Sequence, residues 1–174
     1  GARAWRRLRN RMHGSVYISD VAGLPNRNYL LAELRREMPR GRETGKPFVV
    51  VVVSVDGYEY MKERRGEEFA ARVLGAAGAT VQQVTRKSDF VAYLGGADFG
   101  ILLNECTLEQ SYKYYNRVPV EVEVEHRRQR YPVTLGIRAA EYDMESLYAT
   151  DVLREAEKAT PIRQGSRQRI ERAI

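Results

Sequence analysis

Cysteine is nearly absent from this sequence: Cys106 is the only one in 174 residues. A single thiol excludes an intrachain disulfide and a cysteine-based zinc site. Histidine is scarce too, and His13 and His126 stand too far apart in sequence to begin a metal cluster. Long hydrophobic runs are also missing. The longest, Phe48 to Val53, is the size of a strand and far short of a membrane span. The stretch after Gly1 is basic and leads into Met12-His13-Gly14, with no apolar core behind it. No signal peptide is expected, and the chain reads as a domain cut from a longer protein, working in the cytoplasm and meeting a membrane only through upstream segments.

What is present fits one folded domain. Hydrophobic residues make up 43% and charged residues 30%, which excludes wholesale disorder. The net charge of +6 sits at the ends. Residues 1–11 carry +5 and residues 161–174 carry +3, so the body between them is at −2. No nucleic-acid footprint is expected on that body, although the basic arms could touch phosphate or anionic lipid. Three parts follow: a basic linker helix over 1–15, a folded domain over 16–160, and a basic tail over 161–174.

Within the linker, Ala4, Trp5, Leu8 and Met12 recur at helical spacing. Leu24-Pro25-Asn26-Arg27 starts a helix, with Pro25 in the first turn and Asn26 satisfying free amides. It runs to about Met38, where Pro39 stops it, and a loop follows to Pro47. Phe48 to Val53 reads as a strand covered on both faces. A long helix follows Gly66, carried by Phe69, Val73, Ala77, Val81 and Val84. Phe90–Leu94 and Phe99–Leu103 flank Gly95-Gly96-Ala97-Asp98, the pattern of a β-hairpin. Residues 108–117 read as a helix. Val118, Val120, Val122 and Val124 alternate with Glu121, Glu123 and Glu125, as in a half-exposed strand. Tyr131–Ile137 is a further strand, and 145–158 a last helix before Pro161. Helices interspersed with hairpins predict an α/β sandwich with a mixed sheet.

Four landmarks stand in order: Gly23-Leu24-Pro25-Asn26-Arg27, Ser54-Val55-Asp56, Gly95-Gly96-Ala97-Asp98-Phe99 and Val133-Thr134-Leu135-Gly136-Ile137. Together, from about Val16 to Lys158, they resemble the GGDEF domain family of diguanylate cyclases. The resemblance implies a central mixed sheet with helices on both faces, similar to nucleotidyl cyclase and polymerase palm domains. It also implies an activity. Two such domains meet face to face, each with a GTP, and metal-assisted attacks join the nucleotides into cyclic di-GMP.

The same resemblance exposes departures. The family binds metal through the first carboxylate of an Asp-x-Asp pair and an acidic third position of the hairpin signature. Here those positions are Ser54 and Ala97; Asp56 and Asp98 remain. The guanine-reading positions fall on Lys62 and Ala71, and the phosphate-holding lysine on Glu157, or on Lys158 with a one-residue slip. Two lost metal ligands leave a triphosphate without charge neutralisation. The chain therefore reads as a degenerate member with no catalytic residues, no metal and a vestigial site at Ser54, Asp56, Gly95, Gly96, Ala97 and Asp98.

One element survives. Arg86-Lys87-Ser88-Asp89 matches the family's Arg-x-x-Asp motif, six positions before Gly95. In active members it is the inhibitory site that binds cyclic di-GMP as a stacked pair, often with a second arginine, here Arg117. The chemistry suits guanine, since arginine can fork onto O6 and N7 while a carboxylate accepts from N1–H and the exocyclic amine. The bland reading of such a pair is a solvated salt bridge. The leading expectation is a non-catalytic cyclic di-GMP receptor acting through a homodimer or partner effector. The alternatives are a nucleotide-free interaction domain and a residual cyclase using Asp56 and Asp98. Other residues carry weaker expectations. Glu121, Glu123 and Glu125 read as a solvated strand face, and Cys106 as a partly buried thiol. Tyr112, Tyr114 and Tyr115 suit either core or interface, and Tyr58 and Tyr60 could fill the emptied cleft.

Overall fold

The computed structural model describes residues 17–163, together with Ala4. The linker helix expected over 1–15 and the tail beyond Arg163 lie outside the described residues. The elements run α1 (Arg27–Thr44), β1 (Val49–Val55), α2 (Tyr58–Arg65), α3 (Glu67–Val84), β2 (Phe90–Gly95), β3 (Asp98–Leu103), α4 (Tyr112–Arg117), β4 (Glu121–His126), β5 (Gln129–Glu141) and α5 (Ala149–Lys158). The strands form one sheet in the order β2-β3-β1-β5-β4.

Every ladder between named strands is antiparallel, where a mixed sheet was expected. The reason is topological. The α2–α3 return brings β2 back parallel in direction to β1, but the hairpin inserts β3 between them. The parallel contact that does occur is an isolated bridge, Asn26 to Tyr93.

The run of valines in β1 is explained by two cores, one on each face. Val49, Val51, Val53 and Val55 pack with Phe69, Val73, Ala77 and Val81 of α3, and with Phe99 and Ile137. Val50 and Val52 pack with Leu30, Leu34 and Met38 of α1, and with Leu153 and Ala156 of α5. Each such valine contributes roughly 1.5–3 kcal/mol by leaving water. Gly100 is what lets α1 press on the sheet, because a Cβ there would lie 2.7 Å from Leu30 Cδ2.

Several expected boundaries move, among them the strand expected from Val118, which begins at Glu121 while Val118 closes α4. Pro39 lies inside α1 and does not end it. Met38 and Gly41 are buried beyond the missing N–H, and the stop comes at Gly45, whose N–H bonds Gly41 O at 2.8 Å in the left-handed region. Pro25 lies before the N-cap, which is Asn26; its Oδ1 accepts from Tyr29 N at 3.2 Å. The helix expected from 108 begins at Tyr112, because Thr107 and Gln110 bond each other's backbone first. The helix expected from 145 begins at Ala149, because the Asp143 carboxylate holds the amides of Glu145 and Ser146 in a turn.

Candidate functional site

β2 carries the residues of interest at both of its ends. Gly95 lies six positions after Asp89, about 20 Å along a strand.

At the turn end, Gly95 and Gly96 adopt φ of 100° and 55°, a region that side chains rarely enter. Tyr93 Oη donates to Gly96 O at 2.7 Å and closes the turn. Ser54 pairs with Asp98 in the β1–β3 ladder, and Val55 N donates to Ala97 O at 2.9 Å. The hairpin turn therefore sits beside the end of β1, as the sequence predicts.

The polar groups at this end are consumed by one another. Ser54 Oγ donates to Asp98 Oδ1 at 2.6 Å. Asp56 faces β5 instead: its Oδ2 accepts from Thr134 Oγ1 at 2.9 Å, and its Oδ1 lies 3.0 Å from where a Cβ on Gly136 would be. Glu157, one of the two positions matched to a phosphate-holding lysine, meets Arg27 at 2.7 Å, and Lys158, the other, ends α5. Lys62 is half-buried on α2, and Ala71 is exposed on α3. Among the described residues, no group of three His, Cys, Asp or Glu side chains could hold a metal ion. The donor set of one hydroxyl, one methyl and two engaged carboxylates does not fit a divalent metal pair, which demands several free oxygen ligands. An open cleft of about 490 Å³ lies beside the turn, lined by Asp20, Asn26, Arg27, Asn28, Tyr93 and Gly95 among others.

At the entry end the arrangement is different. Arg86, Asp89 and Arg117 are brought together, since both guanidinium charges act on the Asp89 carboxylate. No ion pair closes between Asp89 and either arginine. The solvated salt bridge is thus not what forms. Arg86 is exposed, while Asp89 and Arg117 are half-buried. Asp89 Oδ1 accepts from Asn104 N at 3.2 Å, and Asp89 N donates to Arg86 O at 3.0 Å. Burial pushes the Asp89 carboxyl above its ordinary value, against the lowering effect of the Asn104 hydrogen bond and the two arginines. Arg117 is fixed by Nε donating to Val84 O at 3.1 Å, with its guanidinium 5.3 Å from the Tyr114 ring centre. Tyr114 is held in turn by Thr85, whose Oγ1 lies 3.1 Å from its hydroxyl, and burial pushes that phenol up to about 12.

The remaining expectations resolve simply. Tyr114 and Tyr115 are core, and Tyr112 is surface. Tyr58 is buried in the α3-side core with Tyr60 packed against it. Cys106 is half-buried and its thiol is pushed up by burial, then by Asp89 and Glu141. Glu121, Glu123 and Glu125 are exposed. Sequence reasoning missed Asn104 and Arg163. Asn104 follows β3 and grips the Arg86–Asp89 loop. Arg163 donates to the carbonyls of Leu135, Val118 and Pro119 from the edge of β5. Neither sits in a motif, and only the fold brings them near these sites.

A five-stranded sheet between two helical layers, with a glycine turn abutting the end of its central strand, defines a cyclase-like α/β domain. The comparisons with known proteins make the family specific. The family model "Diguanylate cyclase, GGDEF domain" matches residues 17–167, and the chain belongs to that family. The diguanylate cyclase DgcP of Pseudomonas aeruginosa is 28% identical over 98 residues, covering 56% of this chain and 15% of DgcP. The chain thus spans a small part of that relative's length. The crystal structure of the diguanylate cyclase SiaD with its activator SiaC, from Pseudomonas aeruginosa, matches with a TM-score of 0.79 at 23% identity, covering 91% of this chain and 62% of SiaD. The GGDEF domain of DgcB from Caulobacter crescentus, in complex with c-di-GMP, matches with a TM-score of 0.73 at 16% identity, covering 82% and 84%. Among the described residues, no helix is long and apolar enough to cross a membrane.

Proposed function

We propose that this GGDEF domain makes no cyclic di-GMP and instead receives it at Arg86, Asp89 and Arg117, passing the signal to a second copy or a partner effector. The observation that carries the reading is the state of those three side chains. Two arginines act electrostatically on a half-buried carboxylate and close no ion pair with it, although Arg117 is held by Val84 and Asp89 accepts from the Asn104 amide. A guanine edge supplies what they lack. Its O6 and N7 accept from a guanidinium, and its N1–H and exocyclic amine donate to the carboxylate. A relative of the same fold, DgcB, is held in its crystal structure with this ligand.

The loss of synthesis rests on the turn end. Phosphoryl transfer between two triphosphates needs metal ions to neutralise the developing charge. Ser54 and Ala97 offer none of the carboxylate charge the family uses, and Glu157, at one of the two positions matched to the phosphate-holding lysine, is a carboxylate engaged by Arg27. The test is a calorimetric titration of the domain with cyclic di-GMP. Heat that saturates, and disappears with Arg86→Ala, supports the receptor reading. Absence of heat at high micromolar ligand rejects it in favour of a nucleotide-free interaction domain.

A further inference from the structure

We infer that Asn104 is the positioning residue of the Arg86–Asp89 loop: its side chain pins the Ser88 carbonyl and so holds the loop where its own backbone amide meets the Asp89 carboxylate, before any ligand arrives. The inference rests on the receptor reading above and adds a residue that no motif contains. Asn104 grips the loop at two adjacent points. Its backbone N–H donates to Asp89 Oδ1 at 3.2 Å, and its Nδ2 donates to the carbonyl of Ser88. With Oδ1 occupied, Oδ2 is left for the donors of a guanine edge. The ring of charged and titratable neighbours around that carboxylate is Arg86, Arg117, Cys106 and Tyr114.

The backbone around Asn104 is over-determined. Glu105, the next residue, adopts a φ of 45°, in the left-handed region that non-glycine residues avoid. It is held there from both sides. Its carboxylate pairs with Arg40 of α1, and the following amide, Cys106 N, donates to Pro47 O at 2.8 Å. The kink aims Asn104 back at the loop. Its Oδ1 is buried without a partner, so the Ser88 contact alone sets the amide's orientation. A side chain held next to a strained residue, at the expense of an orphan acceptor, is explained by the loop it orders.

The experiment uses the 174-residue chain and reads two quantities for the parent, Asn104→Ala and Asn104→Ser: cyclic di-GMP affinity, and the titration midpoint of the Asp89 carboxyl by carbon NMR without ligand. Asn104→Ala keeps the backbone amide facing Asp89 but removes the Ser88 contact; it is expected to weaken binding about five- to twentyfold and to move the Asp89 midpoint back toward the ordinary carboxylate value, as the loop released at Ser88 exposes it. Asn104→Ser, which keeps a short donor, is expected to fall between, with a melting temperature near the parent's. Parent-like affinity in Asn104→Ala overturns the inference, as does a parent-like Asp89 midpoint. If the parent itself binds nothing, the receptor reading falls and takes this inference with it. That outcome is distinct from a parent that binds while Asn104→Ala binds equally well.

Discussion

At the turn end of β2, Ser54 donates a hydrogen bond to Asp98, Thr134 donates one to Asp56, and Arg27 meets Glu157. At the entry end, Arg86 and Arg117 face a half-buried carboxylate and close no ion pair with it. The two regions share a strand and differ in how their polar groups are settled. A region whose donors and acceptors already engage one another has less to offer a ligand. A region that keeps arginines beside a half-buried acid without closing an ion pair leaves charge for a ligand to meet. On the proposed function, the first region has retired from chemistry and the second keeps a ligand site.

The largest effect that could break the comparison is turnover. Incubated with GTP and either magnesium or manganese, the domain is expected to form no cyclic di-GMP above a blank. Product that vanishes on Asp98→Ala would return the turn end to the enzymes. Ser54→Asp combined with Ala97→Glu is expected not to restore full activity, because Lys62 and Ala71 still offer no guanine reader and Glu157 still opposes phosphate.

Next in size is the split between the two ends in ligand affinity. Arg86→Ala and Asp89→Ala are each expected to weaken cyclic di-GMP binding by tenfold to a hundredfold, or roughly 1–3 kcal/mol, since each leaves its partner's guanine contact unmade. Asp98→Ala is expected to leave affinity within about twofold, as engaged groups at a remote site contribute nothing to it. Calorimetry on the three variants reads both arms.

A pH series sharpens the same contrast. The ligand's donors need the ionised Asp89 carboxylate, and burial holds that carboxyl above its ordinary value. Affinity is therefore expected to be full above the raised value and to fall as pH drops through it, by about tenfold per unit below. Asp89→Ala should flatten the profile. Without ligand the sign reverses. Between the ordinary and the raised value the folded chain holds a proton that the unfolded chain releases, so the Asp89 contribution to stability declines as pH rises through that window. Asp89→Asn is thus expected to raise the melting temperature of the unliganded domain at neutral pH while impairing binding.

The smallest expected effect belongs to the relaxed end. Ser54→Ala removes one hydrogen bond and is expected to cost about 0.5–1.5 kcal/mol of stability, measured by denaturant unfolding, with cyclic di-GMP affinity unchanged.

Much of this was legible in the sequence because it is written in periodicity and turn chemistry. The buried valine run of β1, the 3–4 spacing of Phe69, Val73, Ala77 and Val81, and the glycine turn at 95–96 each carry their own physical signature. The boundaries were less legible where tertiary packing overrode a local rule. Pro39 is tolerated because buried Met38 and Gly41 hold α1 together on either side of it. The antiparallel sheet was hidden because strand direction depends on which strand the hairpin inserts between, and no local pattern encodes that. The Ser54–Asp98 and Glu157–Arg27 pairs join residues 44 and 130 positions apart. The grip of Asn104 on Asp89 spans 15, between elements whose adjacency only the fold creates.

The most direct test maps the ligand onto both ends of β2 at once. Nitrogen-labelled domain, titrated with cyclic di-GMP, is followed by amide NMR. The account predicts saturable shifts at residues 86–90, 104 and 117, with residues 54–56 and 95–98 unmoved. Shifts confined to 95–98 and the neighbouring cleft, with 86–90 silent, would contradict it.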